Sequence, residues 1–412
     1  MALVLGCAMH GVSAQSLDTL LARVWATHPS LAAISYDYEA QLQTGTQVAQ
    51  LPDPEVQLGY WLLPVETRTG PQRLRLGATQ RLPYPGRLAA QQALADAKAQ
   101  PLLEKRAAQA LKLALDLRLA YFDGWRYAEE AAQLSAFLPI YELLEARVLA
   151  RIESGQGSTV SAYQLALERQ ALDYRIAALA EKRAQPRARI AGLLGAPLTG
   201  PLAYTLPNYP LDTLAVRRAI AALETSHPRL RVYAEQLRVR EAALALNEFA
   251  IKPDFAVGLD YVQVNERDDA DPQGNGRDIL GPRVGLRLPL NRKSYTAKRE
   301  EEALRGAAIR SDRAALLLDL QTQIETTLVA YRLNEMEVDF IQQQLNTLPP
   351  ALEVARAEYG EGRRPLEEVL RLEEKLLDYR LRHVDTRHRA ATLVARLAYL
   401  LAVHPDQIST NE

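Results

Sequence analysis

The chain has 412 residues, and its 49 lysines and arginines nearly balance its 50 aspartates and glutamates, which excludes the basic excess typical of nucleic-acid-binding proteins. Apolar residues make up 48% of the chain, but only five Phe and three Trp occur, and this composition favours long helices over a bulky globular core. No run of 18 apolar residues occurs, so the sequence predicts no transmembrane helix.

The first 14 residues predict an export signal. An apolar stretch is followed by Val12-Ser13-Ala14, a small-x-small pattern typical of a signal-peptide cleavage site. A second interpretation takes Leu5-Gly6-Cys7 as a lipoprotein site with Cys7 acylated, and both interpretations stay open. Cys7 is the one cysteine of the chain, so removal of residues 1–14 would leave a mature chain without thiol or disulfide chemistry.

The chain repeats itself at an offset of about 200 residues. His28-Pro29 recurs as His227-Pro228, and Asp173-Tyr174-Arg175 recurs as Asp378-Tyr379-Arg380. Five further matches occur in the same order with offsets that drift only slightly, which indicates two homologous halves. The predicted segments are a first repeat over 15–196, a Pro-rich connector over 197–210, a second repeat over 211–402 and a tail over 403–412.

Each repeat contains two segments with the period-two alternation of β-strands. In one of them Leu74 and Leu76 fall on one face, while Arg73 and Arg75 fall on the other. The predicted hairpins span residues 55–82, with a turn from Pro64 to Pro71, and 254–290, with a polar loop from Arg267 to Asp278. The apolar alternation in the second hairpin extends through Leu288 and Leu290.

The segments that follow the hairpins predict long coiled-coil helices. The 4-3 spacing of a heptad seam is followed by Leu103, Ala107, Ala110, Ala114, Leu117 and Tyr121. The strong helix breakers between Gly86 and Ser154 are Pro101, Gly124 and Pro139. One kinked helix on the order of 100 Å long is therefore expected, and glycines near residues 155 and 360 predict a turn after each long helix.

The predicted strands are about 9–11 residues long, the length that a tilted strand needs to cross a bilayer. A membrane tolerates no open sheet edge, so four strands cannot span it alone and several copies must pool their hairpins. Three copies would give twelve strands, with the charged face toward a wet lumen and the apolar face toward lipid. The predicted lumen arginines are Arg73, Arg75, Arg81, Arg283 and Arg287.

Several motifs together resemble the TolC-like outer-membrane efflux proteins. They are the two-fold repeat, Leu51-Pro52-Asp53-Pro54, the segment from Gln80 to Arg87, the segment from Leu288 to Lys293, and the glycine turns that precede Asp-Tyr-Arg. Among the branches of this family, Leu-Pro-Asp-Pro and Leu-Pro-Tyr-Pro-Gly-Arg look most like the heavy-metal (cation) efflux branch.

The resemblance implies a mainly α protein with a small β part. Two-fold repeated coiled-coil helices and two β-hairpins would assemble as a homotrimer into a 12-stranded β-barrel and an α-helical barrel. The trimer would lie in the outer membrane of a Gram-negative bacterium and extend into the periplasm. A periplasmic adaptor (membrane fusion protein) and an inner-membrane RND-type pump would deliver the cargo, metal cations in this branch. Because the pump supplies the energy, the duct is expected to be no enzyme and to need no cofactor.

The resemblance also implies two groups of site residues. The adaptor would contact the two helical turns at Gly155, Gln156, Gly157, Ser158, Gly360, Glu361, Gly362 and Arg363. A pore gate would contain Glu368 and Arg364, which match an acidic and a basic family position, and Arg371, which replaces a second acidic residue. In the alternative interpretation the glycines only turn the chain, and Glu367, Glu373 and Glu374 belong to a plain solvated helix face.

Other functions stay open as alternatives. A duct for drug efflux or type I secretion would share the same features, and a soluble coiled-coil scaffold or tether would explain the heptads. An enzyme is disfavoured because the sequence contains no His-Glu-x-x-His, no cysteine pair and no phosphate-binding glycine loop. Met336 is the one methionine beyond the predicted signal, so the sequence offers no methionine ladder for copper, and no metal site is predicted.

Overall fold

The computed structural model describes residues 15–155, 157–198 and 200–409. The predicted signal with Cys7, the predicted tip residue Gln156 and the last three residues of the tail lie outside the described residues. The described residues are mainly helical and contain a four-stranded antiparallel sheet, which confirms the predicted mainly α fold with a small β part. Among the helices described, none is long and apolar enough to cross a membrane.

The secondary-structure elements follow a similar order in both halves of the chain, except that the first half ends in two helices where the second half has one long helix. The first half contains α1 (Leu17–Thr27), α2 (Pro29–Val48), β1 (Glu55–Val65), β2 (Gln72–Leu82), α3 (Arg87–Glu153), α4 (Thr159–Lys182) and α5 (Ala184–Leu194). The second half contains α6 (Thr213–Ser226), α7 (Pro228–Asn247), a 3-10 turn (Glu248–Ile251), β3 (Asp254–Val264), β4 (Ile279–Arg287), α8 (Arg292–Gly360), α9 (Leu366–Leu401) and a 3-10 turn (Pro405–Gln407).

The chain folds into two compact units. The helical unit comprises the described parts of Met1–Ala33, Arg106–Pro228 and Leu316–Glu412. The sheet unit comprises Ile34–Lys105 and Arg229–Ala315, and it contains all four strands described here.

The two longest helices run through their prolines. Helix α3 has 67 residues and continues past Pro101 and Pro139, and α8 has 69 residues and contains Pro349 and Pro350. A proline inside a helix removes one backbone donor and kinks the axis. The flanking Ala, Leu, Glu, Gln and Arg residues are strong helix formers, which is why α3 forms the single helix that the sequence predicts.

The sheet has the strand order β1-β2-β3-β4, with every neighbouring pair antiparallel. Strand β1 continues through Pro64 to Val65, so Pro64 does not belong to the turn as predicted; an edge strand tolerates its missing donor. Strand β4 runs from Ile279 to Arg287. Leu288 and Leu290 were predicted to belong to this strand but lie beyond its observed end, because Pro289 cannot continue the ladder.

The strand register separates apolar from polar side chains, as the alternation predicts. Directly paired residues of an antiparallel sheet share one face, and Leu76 pairs with Tyr261 while Ala78 pairs with Leu259. The next position along, Gly77, pairs with Asp260. The sheet thus has an apolar face and a polar face.

The helical unit contains two apolar clusters. One joins α3, α4, α8 and α9 around Phe137, Leu165 and Val369. The other joins α1, α2, α3, α5 and α9. The first two residues of the predicted seam, Leu103 and Ala107, are exposed, whereas Leu117 and Tyr121 lie in this cluster with no exposed surface. Full burial of a side chain of this size contributes roughly 1.5–3 kcal/mol, so these clusters fix the four helices that lead into and out of the two turns described next.

Two glycines set the conformation of the turns after α3 and α8. Gly155 has φ 73° and Gly362 has φ 74°, in the left-handed region where any residue with a Cβ is strained. Gly360 differs, because it is the last residue of α8 and a Cβ placed on it would meet no atom within 4 Å.

We expect Gly362→Ala to lower the free energy of unfolding by about 1–2 kcal/mol, since alanine is strained at this positive φ. The matched control is Gly360→Ala, which should raise that free energy by up to about 1 kcal/mol because alanine is the better helix former. Denaturation of both variants by guanidinium measures the difference. Equal changes in the two variants would contradict the special role of Gly362.

Candidate functional site

The two turns of the helical unit expose the predicted contact residues. Helix α3 ends at Glu153, and the Ser158 side chain begins α4 by accepting a hydrogen bond from the Val160 amide at 3.2 Å. Pro365 immediately precedes α9. The predicted residues described here are all exposed, namely Gly155, Gly157, Ser158, Gly360, Glu361, Gly362 and Arg363. A partner can therefore reach both turns.

Arg151 ties the two turns together. Its guanidinium donates to the Tyr359 carbonyl at 2.7 Å and lies 5.1 Å from the centre of the Tyr359 ring. A Cβ on Gly362 would lie 3.6 Å from the Arg151 Nη2, an ordinary contact distance, so the positive φ of Gly362 and not the space beside Arg151 favours glycine there. Sequence reasoning missed Arg151; a basic residue in the last turn of a helix is a common feature and does not by itself point to a second turn.

The predicted gate residues Arg364 and Glu368 are brought together in the structure. Arg364 Nη1 lies 2.5 Å from a carboxylate oxygen of Glu368 on α9, and its Nε lies 2.7 Å from one of Glu358 on α8. Arg364 thus bridges the two helices across their turn, and Glu358 is a partner that the sequence did not reveal. Arg371, the third predicted gate residue, lies further along α9 and is exposed.

Glu373 is buried, so it does not belong to the solvated helix face that the alternative interpretation expected. It has no exposed surface, and Arg356 donates to its Oε1 from Nε at 2.7 Å and also from Nη2. The Oε2 atom is buried with no hydrogen-bond partner among the described residues. Burial raises the pKa of Glu373 and outweighs the opposing effects of Arg356 and Arg380.

An ion-pair network occupies the polar face of the sheet. Asp260 lies 3.1 Å from Arg75 and 3.4 Å from Arg283, and Arg283 also donates to the Thr79 hydroxyl at 2.7 Å. Glycine is needed beside this network, because a Cβ on Gly77 would lie 2.8 Å from the Asp260 Oδ1. A Cβ on Gly258, on the neighbouring strand, would lie 2.7 Å from the Ala78 carbonyl oxygen, so the backbones also approach closely at this glycine.

The other predicted lumen arginines also lie on the strands. Arg81 pairs with Glu55 at 2.7 Å. Arg287 ends β4 opposite Asp254, which alternation places on the polar face. Arg73 lies at an irregularity in the pairing of β2 with β3, and both Arg73 and Arg287 are exposed.

The apolar face of the sheet is open to solvent in the single chain. Leu62 is 89% exposed, Val284 is 79% exposed and Val56 is 74% exposed. Further exposed apolar residues of this face are Leu58, Tyr60, Phe255, Val257, Leu259, Leu280 and Leu286. Contiguous apolar surface of this kind marks an interaction surface for protein or membrane. The outer edges of β1 and β4 pair with no strand in the described part of the chain.

The candidate sites offer no metal centre within the described ranges. No group of three or more His, Cys, Asp or Glu side chains in residues 15–155, 157–198 and 200–409 is arranged to hold a metal ion.

Comparison with known proteins shows which solved structures share this fold. No protein-family model and no curated protein matches the chain. A solved structure of CusC matches with a TM-score of 0.74 and 16% identity, over 94% of this chain and 92% of CusC. The outer membrane protein VceC from Vibrio cholerae matches with a TM-score of 0.71 and 15% identity, over 95% of this chain and 97% of VceC.

A third match is the open state of the MtrE outer membrane channel of Neisseria gonorrhoeae. Its TM-score is 0.72 at 16% identity, over 96% of this chain and 91% of MtrE. These similarities extend over both halves of the chain and so include the sheet and the long helices. The protein therefore has the fold of these outer-membrane channels, which confirms at the level of the fold the TolC-like resemblance predicted from its sequence.

Proposed function

We propose that the protein is the outer-membrane channel of a tripartite efflux system, a passive trimeric exit duct without catalytic activity. It receives cargo from an inner-membrane RND-type pump through a periplasmic adaptor. The channel lies in the outer membrane of a Gram-negative bacterium and extends into the periplasm. The fold shared with CusC, VceC and MtrE supports this function.

The observation that carries the proposal is the two-faced open sheet. One face exposes Val, Leu, Tyr and Phe side chains, and the other holds the Arg75–Asp260–Arg283 network. Lipid fits the apolar face and water fits the polar face. Since a membrane tolerates no free strand edge, the edges β1 and β4 must pair with other copies. Three copies supply the twelve strands of a closed barrel.

Exposed heptad positions on the helices support assembly with further copies. On α4, Val160, Tyr163, Leu167 and Tyr174 are 62–75% exposed at spacings of three, four and seven residues. On α8, Val329, Leu333, Met336 and Phe340 follow the spacing four, three, four and are 45–68% exposed. Exposed apolar residues at this spacing form a row along one face of each helix, which is typical of helices that pack on partner helices. A homotrimeric helical barrel would bury these rows.

In this channel the two turns form the adaptor-contacting tip. The residues from Gly155 to Ser158 and from Gly360 to Arg363 are proposed to meet the adaptor, and those that the structure describes are exposed. Arg364 and Glu368 are proposed to hold the tip closed, with Arg371 lining the same constriction. The lumen arginines on the strands are proposed to line the wet pore of the barrel.

Metal cations are the proposed cargo. The support is the resemblance of Leu51-Pro52-Asp53-Pro54 and of the Leu82–Arg87 segment to the heavy-metal branch. Drug efflux and type I secretion are the alternatives. Deletion of the gene is expected to raise sensitivity to metal cations; increased sensitivity to drugs alone, with unchanged metal tolerance, would contradict the metal cargo.

Native mass spectrometry of the protein extracted from membranes with detergent tests the central proposal. We expect a particle of about three chain masses, where the full chain is 45.8 kDa, and its absence from the detergent-free soluble fraction. The reason is that the edges of a four-stranded sheet close only when further copies add their strands, and the family resemblance implies three copies. A soluble monomer or dimer would contradict the channel and would favour the coiled-coil scaffold.

A further inference from the structure

A groove of about 540 Å³ lies within the sheet unit, between the first turns of α3 and α8 and the end of α7. Its apolar wall is formed by Leu94, Ala243, Leu246 and Ala250. Five cationic side chains line it, namely Arg87, Lys98, Arg240, Lys298 and Arg305. Glu302 is the carboxylate among the lining residues, and it is only 2% exposed.

The carboxylates at the groove are already engaged with its cations. Glu302 lies 3.0 Å from Arg240 and 2.7 Å from Lys298. Glu301 lies 2.7 Å from Arg305, and Asp254 lies 2.6 Å from Arg87.

These three carboxylates leave an excess of positive charge, and Lys98 is exposed at the groove. Arg240 also has a buried Nε without a hydrogen-bond partner among the described residues. Converging cations repel one another in a partly desolvated groove, so an anion bound there would be stabilised.

The groove lies where the strands continue into helices. Arg87 begins α3 shortly after β2, Asn247 ends α7 shortly before β3, and Lys298 lies in the second turn of α8 after β4. If the sheet spans the membrane as proposed, this junction lies at the depth of the lipid headgroups. Basic pockets at this depth bind anionic headgroups.

We propose that this groove binds the phosphate headgroup of an anionic membrane lipid. The phosphate is held among Lys98, Lys298 and Arg305, and an acyl chain lies against the wall of Leu94 and Leu246. This inference rests on the proposed membrane location of the sheet. It adds a ligand site to the channel and makes bound lipid a component of the folded protein.

The test titrates the detergent-extracted full chain with dioleoyl phosphatidic acid or dioleoyl phosphatidylcholine and counts retained lipids by native mass spectrometry. We expect phosphatidic acid to bind about tenfold more tightly, because each nearby cation attracts an anionic headgroup. The variant Lys98→Gln/Arg305→Gln should weaken phosphatidic acid binding about tenfold. The matched control Lys105→Gln/Arg310→Gln removes two exposed cations from the same helices outside the groove and should change it less than about twofold.

Two results would overturn the lipid site. Equal weakening by the two double variants would mean that diffuse surface charge attracts the lipid. Displacement of phosphatidic acid by equimolar inorganic phosphate would mean that the groove takes soluble phosphate. The same spectra report the mass of the assembly. If the trimer is intact but does not prefer phosphatidic acid, only the proposed lipid site is wrong. If the protein is a monomer that stays soluble without detergent, the proposed channel is wrong.

Discussion

Arg364→Ala is expected to open the tip of the channel, with a rise of about tenfold in the fraction of open channels recorded in planar lipid bilayers. The Arg364 side chain holds Glu358 on α8 and Glu368 on α9 at the same time. Its removal frees the turn and leaves the two carboxylates without their shared cation. Because the proposed trimer has three identical tips, a small change in each chain is multiplied in the equilibrium between closed and open states.

A matched control lies next to it in the chain. Arg363 pairs with Glu361 within the α8–α9 turn, and both side chains are exposed. Arg363→Ala removes the same charge but leaves the link between the helices, so the open fraction should stay within about twofold of the parent protein. Similar opening in both variants would mean that net charge at the tip, and not the Arg364 bridge, controls the conductance.

Variants of Arg151 test the opening of the same tip through a different contact. Its side chain reaches from α3 to the Tyr359 carbonyl, so it restrains the same turn through a second contact. If the tip opens by separation of the two turns, the effects of Arg151 and Arg364 variants should couple, and a double-mutant cycle measures that coupling.

The alternation of apolar and polar residues in the sequence predicts much of the sheet. The alternation of Leu74 and Leu76 with Arg73 and Arg75 correctly predicted a two-faced sheet, because burial and solvation act on every second residue. The heptad spacing correctly marked a helical seam that is buried from Ala114 to Tyr121, but Leu103 and Ala107 of the same predicted seam are exposed. The ends of the strands were harder to predict. Leu288 and Leu290 continue the apolar alternation, but β4 ends before them because Pro289 has no backbone N–H for the ladder.

The contacts of the candidate site depend on residues that are distant in sequence. Arg151 and Tyr359 come from different repeats, and no local spacing connects them. Glu373 occurs in a helix rich in charges, so residue type does not distinguish this buried carboxylate from the exposed Glu367 and Glu374 on the same helix. Its position on the apolar seam of α9, between Leu370 and Leu376 or Leu377, is the one signal that was available.

Arg356→Met is expected to lower the free energy of unfolding by about 3–5 kcal/mol at neutral pH, because it leaves a buried glutamate without its counter-charge. Glu373 has no exposed surface, and Arg356 supplies both hydrogen bonds to its Oε1. Arg169→Met is the control, since it breaks the half-exposed pair of Arg169 with Glu145 and should cost less than about 1 kcal/mol. Guanidinium denaturation in detergent measures both.

The pH dependence separates loss of charge pairing from loss of packing. The pKa of Glu373 is raised from its ordinary value of 4.5, so above that value the folded protein binds more protons at this site than the unfolded chain. Its contribution to stability therefore falls as pH rises through this window. Without Arg356 the pKa rises further, and acidification toward 4.5 should recover much of the stability of Arg356→Met but none of that lost in Arg169→Met.

Replacement of both residues of the pair tests whether the charge of Glu373 causes the loss of stability. In Arg356→Met/Glu373→Leu both charges are replaced by apolar groups of similar size, so the double variant should regain most of the stability at neutral pH. It should also lose the acid recovery, because the titrating carboxyl is gone. A double variant as unstable as Arg356→Met would mean that the Arg356 side chain stabilises α8 and α9 through its packing, and that the buried charge of Glu373 is not what the arginine offsets.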